Sequence, residues 1–299
     1  MTVHLGGIIP ALITPFTEGG APDLNSVENL AENLISAGAN GLLLFDRNSE
    51  SDRLSLPEMQ VIVSTVTRQA AGRIPVIVSL KSAEPAQAVH LAGKGAVAAF
   101  MAPPPRPHPP ESQLKITLFR TIKHAAQVPV ILDYTFPPGI SPLEAAEADG
   151  LLDSLDEIDM VRVNQPPAGP LISALRSRSS GLTSTIAGLS GLHIVDALDR
   201  GAAGATTLCC IPEPFCNIVK YREHGSHSEA TKAYEELLPL ISLINQTPAM
   251  ATACEKIILC RRGWINSDVR RDSSYSPDAK QRSDLFTLYE GLAKKLQLV

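Results

Sequence analysis

At 299 residues, with 44% hydrophobic and 19% charged side chains, the chain can bury one large barrel core or two average ones. A net charge of -5 provides no basic face, which argues against nucleic acid as a partner. The apolar opening "MTVHLGGIIPALITPF" lacks a basic leader and meets Pro10 and Pro15 too early for a signal peptide or a membrane span, so a cytoplasmic protein with no membrane partner is expected.

Short apolar runs rich in β-branched residues follow one another along the chain. They are "IIPALIT" (8–14), "GLLLF" (41–45), "PVIVSL" (75–80), "AVAAFMA" (96–102), "PVILDY" (129–134), "IDMVRV" (158–163), "TSTIAG" (183–188) and "GATTLC" (204–209). Helical periodicity fills the intervals. Between the first two, Leu24, Val27, Leu30, Leu34 and Ile35 fall on one stripe, with Asp23 or Asn25 as cap and Gly38 as stop. Eight near-continuously apolar strands alternating with helices predict a parallel sheet closed into an α/β fold, the (β/α)8 or TIM barrel, over residues 1–225. After Cys210 only helical patterns remain, and residues 226–299 are expected as helices packed on the barrel within one structural unit.

Cys209, Cys210, Cys216, Cys254 and Cys260 are an odd set without CxxC spacing, read as buried thiols. His224 and His227 in "HGSH" have no carboxylate or thiol partner nearby in the sequence, so a solvated loop is expected and no metal. Neither GxGxxG nor GxxxxGK[ST] occurs, and no cofactor is expected.

"GGIIPALITPF", "AGANGLLLF" with "NSESDRLSLPE", "GRIPVIVSL", "GAVAAFMAPPP", "VPVILDYTFP" and "GLHIVDALDRGAAGATTL" together resemble the ordered landmarks of the dihydrodipicolinate synthase / N-acetylneuraminate lyase family, from Gly6 to about residue 263. The resemblance implies a dimeric or tetrameric barrel enzyme. In it, a lysine on the sixth strand forms an imine with a 2-oxo acid, helped by a tyrosine on the fifth strand and a Thr-Thr pair in the second loop.

Tyr134 resembles the family's tyrosine, with Asp133 leaving the register open by one residue. The family's tyrosine-to-lysine interval, counted from Tyr134, reaches Arg162; a shifted pattern puts Asn164 there instead. Neither side chain can form an imine, because a guanidinium keeps its proton and an amide has no free amine. The Gly-Thr-Thr-Gly-Glu pattern reads "DRNSE", with Arg47 and Asn48 at the two hydroxyl positions and Glu50 kept. Arg106 follows the prolines where a tyrosine is expected, and an arginine position falls at Gly139.

These departures predict a lyase, of aldolase or dehydratase type, acting on a small 2-oxo acid or related carboxylate without the imine route. Tyr134 and Arg162 are its candidate catalytic residues. Arg47, Asn48, Arg106, Asn164 and Gly188 are candidates for binding the substrate, with three arginines making a positive mouth. Arg162, on a buried strand, needs an anion or Asp133 beside it, whereas Arg47 and Arg106 can also be loop charges paired to Asp46 or Asp52. Two other readings stay open: a relocated amine at Lys81, just past the third strand, and a catalytically inactive homologue that binds a small anion or serves as a scaffold. Lys256 is expected at the surface.

Overall fold

The computed structural model describes residues 5–81, 85–103, 112–135, 141, 144–146, 158–178 and 184–298. Its strands are β1 (Gly7–Ala11), β2 (Leu42–Leu44), β3 (Val76–Ser79), β4 (Ala99–Ala102), β5 (Val130–Tyr134), β6 (Met160–Val163), β7 (Ser184–Ala187) and β8 (Gly204–Leu208). Each pairs in parallel with the next, and β8 returns to β1. The result is the closed (β/α)8 barrel with C-terminal helices.

Helices α1 (Leu24–Ser36), α2 (Leu56–Ala70), α3 (Pro85–Ala92), α4 (Ser112–Ala126), α5 (Ala168–Arg178), α6 (Ile194–Asp199) and α7 (Glu213–Glu223) follow strands of the barrel. The reason is legible in α1. Asp23 accepts from the Ser26 backbone N–H (3.2 Å) and hydroxyl (2.6 Å), which satisfies a donor that the first turn leaves open. Val27, Leu30 and Leu34 then bury one stripe, and Gly38, at φ +96°, takes the left-handed turn that ends the run. Three further helices complete the chain: α8 (His227–Ile244), α9 (Pro248–Arg261) and α10 (Ala279–Lys295). His224 and His227 are exposed, but they sit at the end of α7 and the start of α8, not in an open loop.

Alternation along the strands divides the core in two. Ile9, Leu43, Ile77, Met101, Ile131, Met160 and Ile186 fill the barrel. Ile8, Leu42, Val78, Phe100, Leu132, Tyr134, Val161 and Val163 face the helical ring. The chain bends by 117° between α8 and α9, and α9 is buried along Met250–Leu259. Among the described residues no single helix is long and apolar enough to cross a membrane. Cys209, Cys210, Cys216 and Cys254 are buried free thiols, and Cys260 is half-buried.

Candidate active site at the barrel mouth

Arg162 follows Met160 on the inward face of β6 and is fully buried, at 0% exposure. In the strand register it lies directly opposite Asp133 on β5. Its Nε donates to Asp133 Oδ1 at 2.8 Å and its Nη2 to Asp133 Oδ2 at 2.7 Å. A second bidentate pair comes from Asp46, with Nη1 to Oδ2 at 2.7 Å and Nη2 to Oδ1 at 2.9 Å. The last N–H, on Nη1, points to Thr206 Oγ1 on β8 at 3.4 Å. All five guanidinium donors therefore have an acceptor.

The end of β2 explains how Asp46 gets there. Phe45 adopts a left-handed φ of +63°, which breaks the strand's alternation and turns Asp46 toward Arg162. A 3-10 turn over Arg47–Ser49 follows at once, with the Ser49 hydroxyl donating to the Asp46 carbonyl at 2.6 Å. Glu50, also left-handed at φ +55°, ends the turn.

Electrostatics agrees with the geometry. Burial works against the charge on Arg162, but the Asp133 and Asp46 carboxylates outweigh it and raise its pKa. Burial likewise disfavours the Asp46 carboxylate, and the Arg162 charge outweighs that too, holding its pKa below the ordinary range. A buried charge is retained only where partners replace its lost water, and here two do. Of the two partners expected for Arg162, an anion or Asp133, the structure gives Asp133 and adds Asp46, so Arg162 is not a free cation of the positive mouth: its charge is already spent on protein carboxylates.

Tyr134 is corrected as well. It pairs in register with Val163 and lies in the cluster between sheet and helices, so Asp133 holds the inward position on β5. Asn164 is buried, and its Oδ1 accepts from the Leu189 backbone N–H at 2.9 Å. Gly188 packs against it: a Cβ there would come within 2.2 Å of Asn164 Oδ1, so this position is small for packing reasons. Asn48 donates through Nδ2 to Glu255 Oε1 at 3.4 Å. Arg47 is exposed beside Asp46. Lys81 is exposed too, its Nζ near the Leu54 carbonyl at 3.4 Å. Arg106 and Gly139 lie outside the described residues. Among the described residues no group of three or more His, Cys, Asp or Glu side chains is placed to hold a metal ion.

A second polar layer lies behind the mouth, on α9. Lys256, expected at the surface, is wholly buried: its Nζ donates to Glu50 Oε2 at 2.6 Å and to the Val269 carbonyl at 2.7 Å, 4.3 Å from the centre of the Phe16 ring. Burial lowers its pKa to about 8 against the opposing pull of Glu50. The neighbouring Glu255 accepts from the Cys209 N–H at 2.8 Å and thiol at 3.2 Å. Its burial raises its pKa to about 7, with the Cys209 and Asn48 hydrogen bonds opposing. The sequence reading missed Thr206, Glu255 and the Glu50–Lys256 pair. The available signal was a Glu-Lys dipeptide inside the apolar run "MATACEKIIL", where a charge must be paired.

The model of the dihydrodipicolinate synthetase family matches residues 4–286. An L-2-keto-3-deoxyarabonate dehydratase of Azospirillum brasilense is 25% identical over 290 residues, covering 94% of this chain and 93% of its own. A 4-hydroxy-tetrahydrodipicolinate synthase of Roseobacter denitrificans is 30% identical over 259 residues, covering 82% and 84%. The crystal structure of dihydrodipicolinate synthase from Rhodopseudomonas palustris superposes with a TM-score of 0.82 at 24% identity, covering 96% of this chain and 97% of that one. With the family matched across nearly the whole barrel and its helices, this chain belongs to the dihydrodipicolinate synthetase family of aldolase-type lyases.

Proposed function

We propose that this chain is a family lyase that has left the imine route, acting on a small 2-oxo acid or related carboxylate by proton transfer to a carboxylate base. The observation that carries the reading is the saturation of Arg162. A guanidinium whose five N–H groups are bound to Asp46, Asp133 and Thr206 neither attacks a carbonyl nor offers a free fork to a carboxylate.

What remains toward the mouth is the pair of aspartates, with side chains 13% (Asp133) and 15% (Asp46) exposed. Asp133, inward on β5 and directly opposite Arg162, is the candidate base. Removal of the proton beside a carbonyl with loss of the β-hydroxyl as water, or removal of the β-hydroxyl's own proton with cleavage of the adjacent carbon–carbon bond, needs such a base. The substrate's carboxylate would meet Arg47 at the rim. Assembly as a homo-oligomer, dimer or tetramer, is part of the same reading.

Two measurements test it. Borohydride added with pyruvate leaves the intact mass unchanged; a pyruvyl adduct on Lys81, or on any lysine, overturns the proposal. Turnover of a panel of 2-oxo and hydroxy acids is lost in Asp133→Asn and kept in Lys81→Ala. A panel that is not turned over but in which a carboxylate raises the melting temperature replaces the enzyme reading with that of an inactive, anion-binding homologue.

A further inference from the structure

The turn that delivers Asp46 is strained and held from outside. Phe45 and Glu50, both non-glycine residues at positive φ, bracket it, and such residues persist only where their surroundings over-determine them. The surroundings are α9 and the segment after it. Thr252 Oγ1 donates to the Asn48 carbonyl at 2.9 Å and Glu255 Oε1 accepts from the Asn48 amide at 3.4 Å. Glu50 takes Lys256 on one oxygen and the Asp272 backbone N–H (2.8 Å) on the other.

Within this clamp Glu255 differs from the rest. Its carboxylate receives donors: the Cys209 and Cys210 backbone N–H groups, the Cys209 thiol and the Asn48 amide. A proton on either oxygen removes an acceptor and sets a donor against a donor. Cys209 and Cys210 face it from the end of β8 and Cys254 adjoins it on α9; the charges beyond them are Arg262, which donates to the Cys210 carbonyl at 2.8 Å and is paired with Glu213, and Arg270 and Arg282 on the Cys254 side. Lys256, beside it in sequence, is committed to Glu50, with Asp268 and Arg270 nearby.

We propose that Glu255 is a proton-operated positioning residue for the barrel mouth: ionised, it holds Asn48 and the turn that presents Asp46 to Arg162; protonated, it releases that turn. The device is independent of whether the site forms an imine. Burial that raises the pKa of Glu255 to about 7 puts the change near neutral pH.

Hydrogen exchange of the full chain, read by mass spectrometry from pH 5.5 to 8.5 and corrected for intrinsic rates, decides the matter. Peptides spanning Leu44–Arg53 are expected to exchange roughly fivefold faster at the acid end, the net size of one ordinary hydrogen bond, as suits a contact of 3.4 Å. Glu255→Gln is expected to hold the fast rate at every pH, as is Asn48→Ala, which removes the other partner and serves if the first variant does not fold. A wild-type rate that does not change with pH, or a slope that survives either substitution, overturns the proposal. A merely structural Glu255 would loosen the turn and the whole fold together. Here protonation is expected to loosen the turn while global stability rises.

Discussion

A lysine and an arginine at position 162 differ less by their own chemistry than by what their neighbours leave them free to do. An imine-forming lysine must lose its proton, yet Asp46 and Asp133 stand at 2.7 Å from the present cation and would hold an ammonium charged in the same place. Arg162→Lys alone is therefore expected to give no borohydride-trapped adduct with pyruvate. The triple replacement Asp46→Gly, Asp133→Tyr, Arg162→Lys removes both anions and is expected to give the adduct on the new lysine, read by intact mass. Truncation is predicted to be harsher: Arg162→Met strands two partly buried carboxylates against each other and is expected to cost about 3–5 kcal/mol in chemical denaturation. Adding Asp46→Asn and Asp133→Asn to it should recover most of that loss, which a simple packing defect would not allow.

Among the elements, the short β2 turn and the buried helix α9 depend on each other across some two hundred residues of chain. Lys256→Met takes from the buried Glu50 its ammonium partner and leaves it only the Asp272 N–H, and is expected to destabilise the fold by about 3–5 kcal/mol; the double variant with Glu50→Gln should lie closer to wild type than either single one. This interdependence marks the limit of what the sequence made legible. The barrel was readable because each strand is an apolar run and each helix a periodic stripe, both local signals. Arg162 was readable as inward, since it alternates with Met160, and its need for Asp133 followed from burial. Tyr134 was misread because one residue of register on β5 exchanges the inside for the outside, and the interval to the next strand's cation did not fix that register. Asp46 and Glu50 owe their orientation to left-handed Phe45 and Glu50, conformations that no periodicity announces. Lys256 looked like a surface charge because its partner, Glu50, is distant in sequence.

For the whole molecule, buried groups that resist ionisation set the pH range in which the fold is most stable. The pKa of Glu255 rises on folding from the ordinary 4.5 to about 7, so the folded state holds its proton more tightly than the unfolded chain. Its contribution is complete below pH 4.5 and lost as pH climbs through 7, a decline on the order of 3 kcal/mol. Lys256 shifts the other way, from 10.5 to about 8, and adds stability as pH rises across that interval. The buried thiols oppose it there: Cys216, Cys254 and Cys260 move from 9 to about 11, and Cys209 and Cys210 move well upward, so their protection fades above pH 9. Urea denaturation from pH 5 to 10 should then show stability falling to neutrality, levelling between 7 and 9, and falling again in alkali. Glu255→Gln carries no proton to lose and is expected to flatten the first decline while leaving the alkaline one intact. A first decline of the same size in that variant would place the titration on another group and leave the turn at the barrel mouth without its proton-sensing carboxyl.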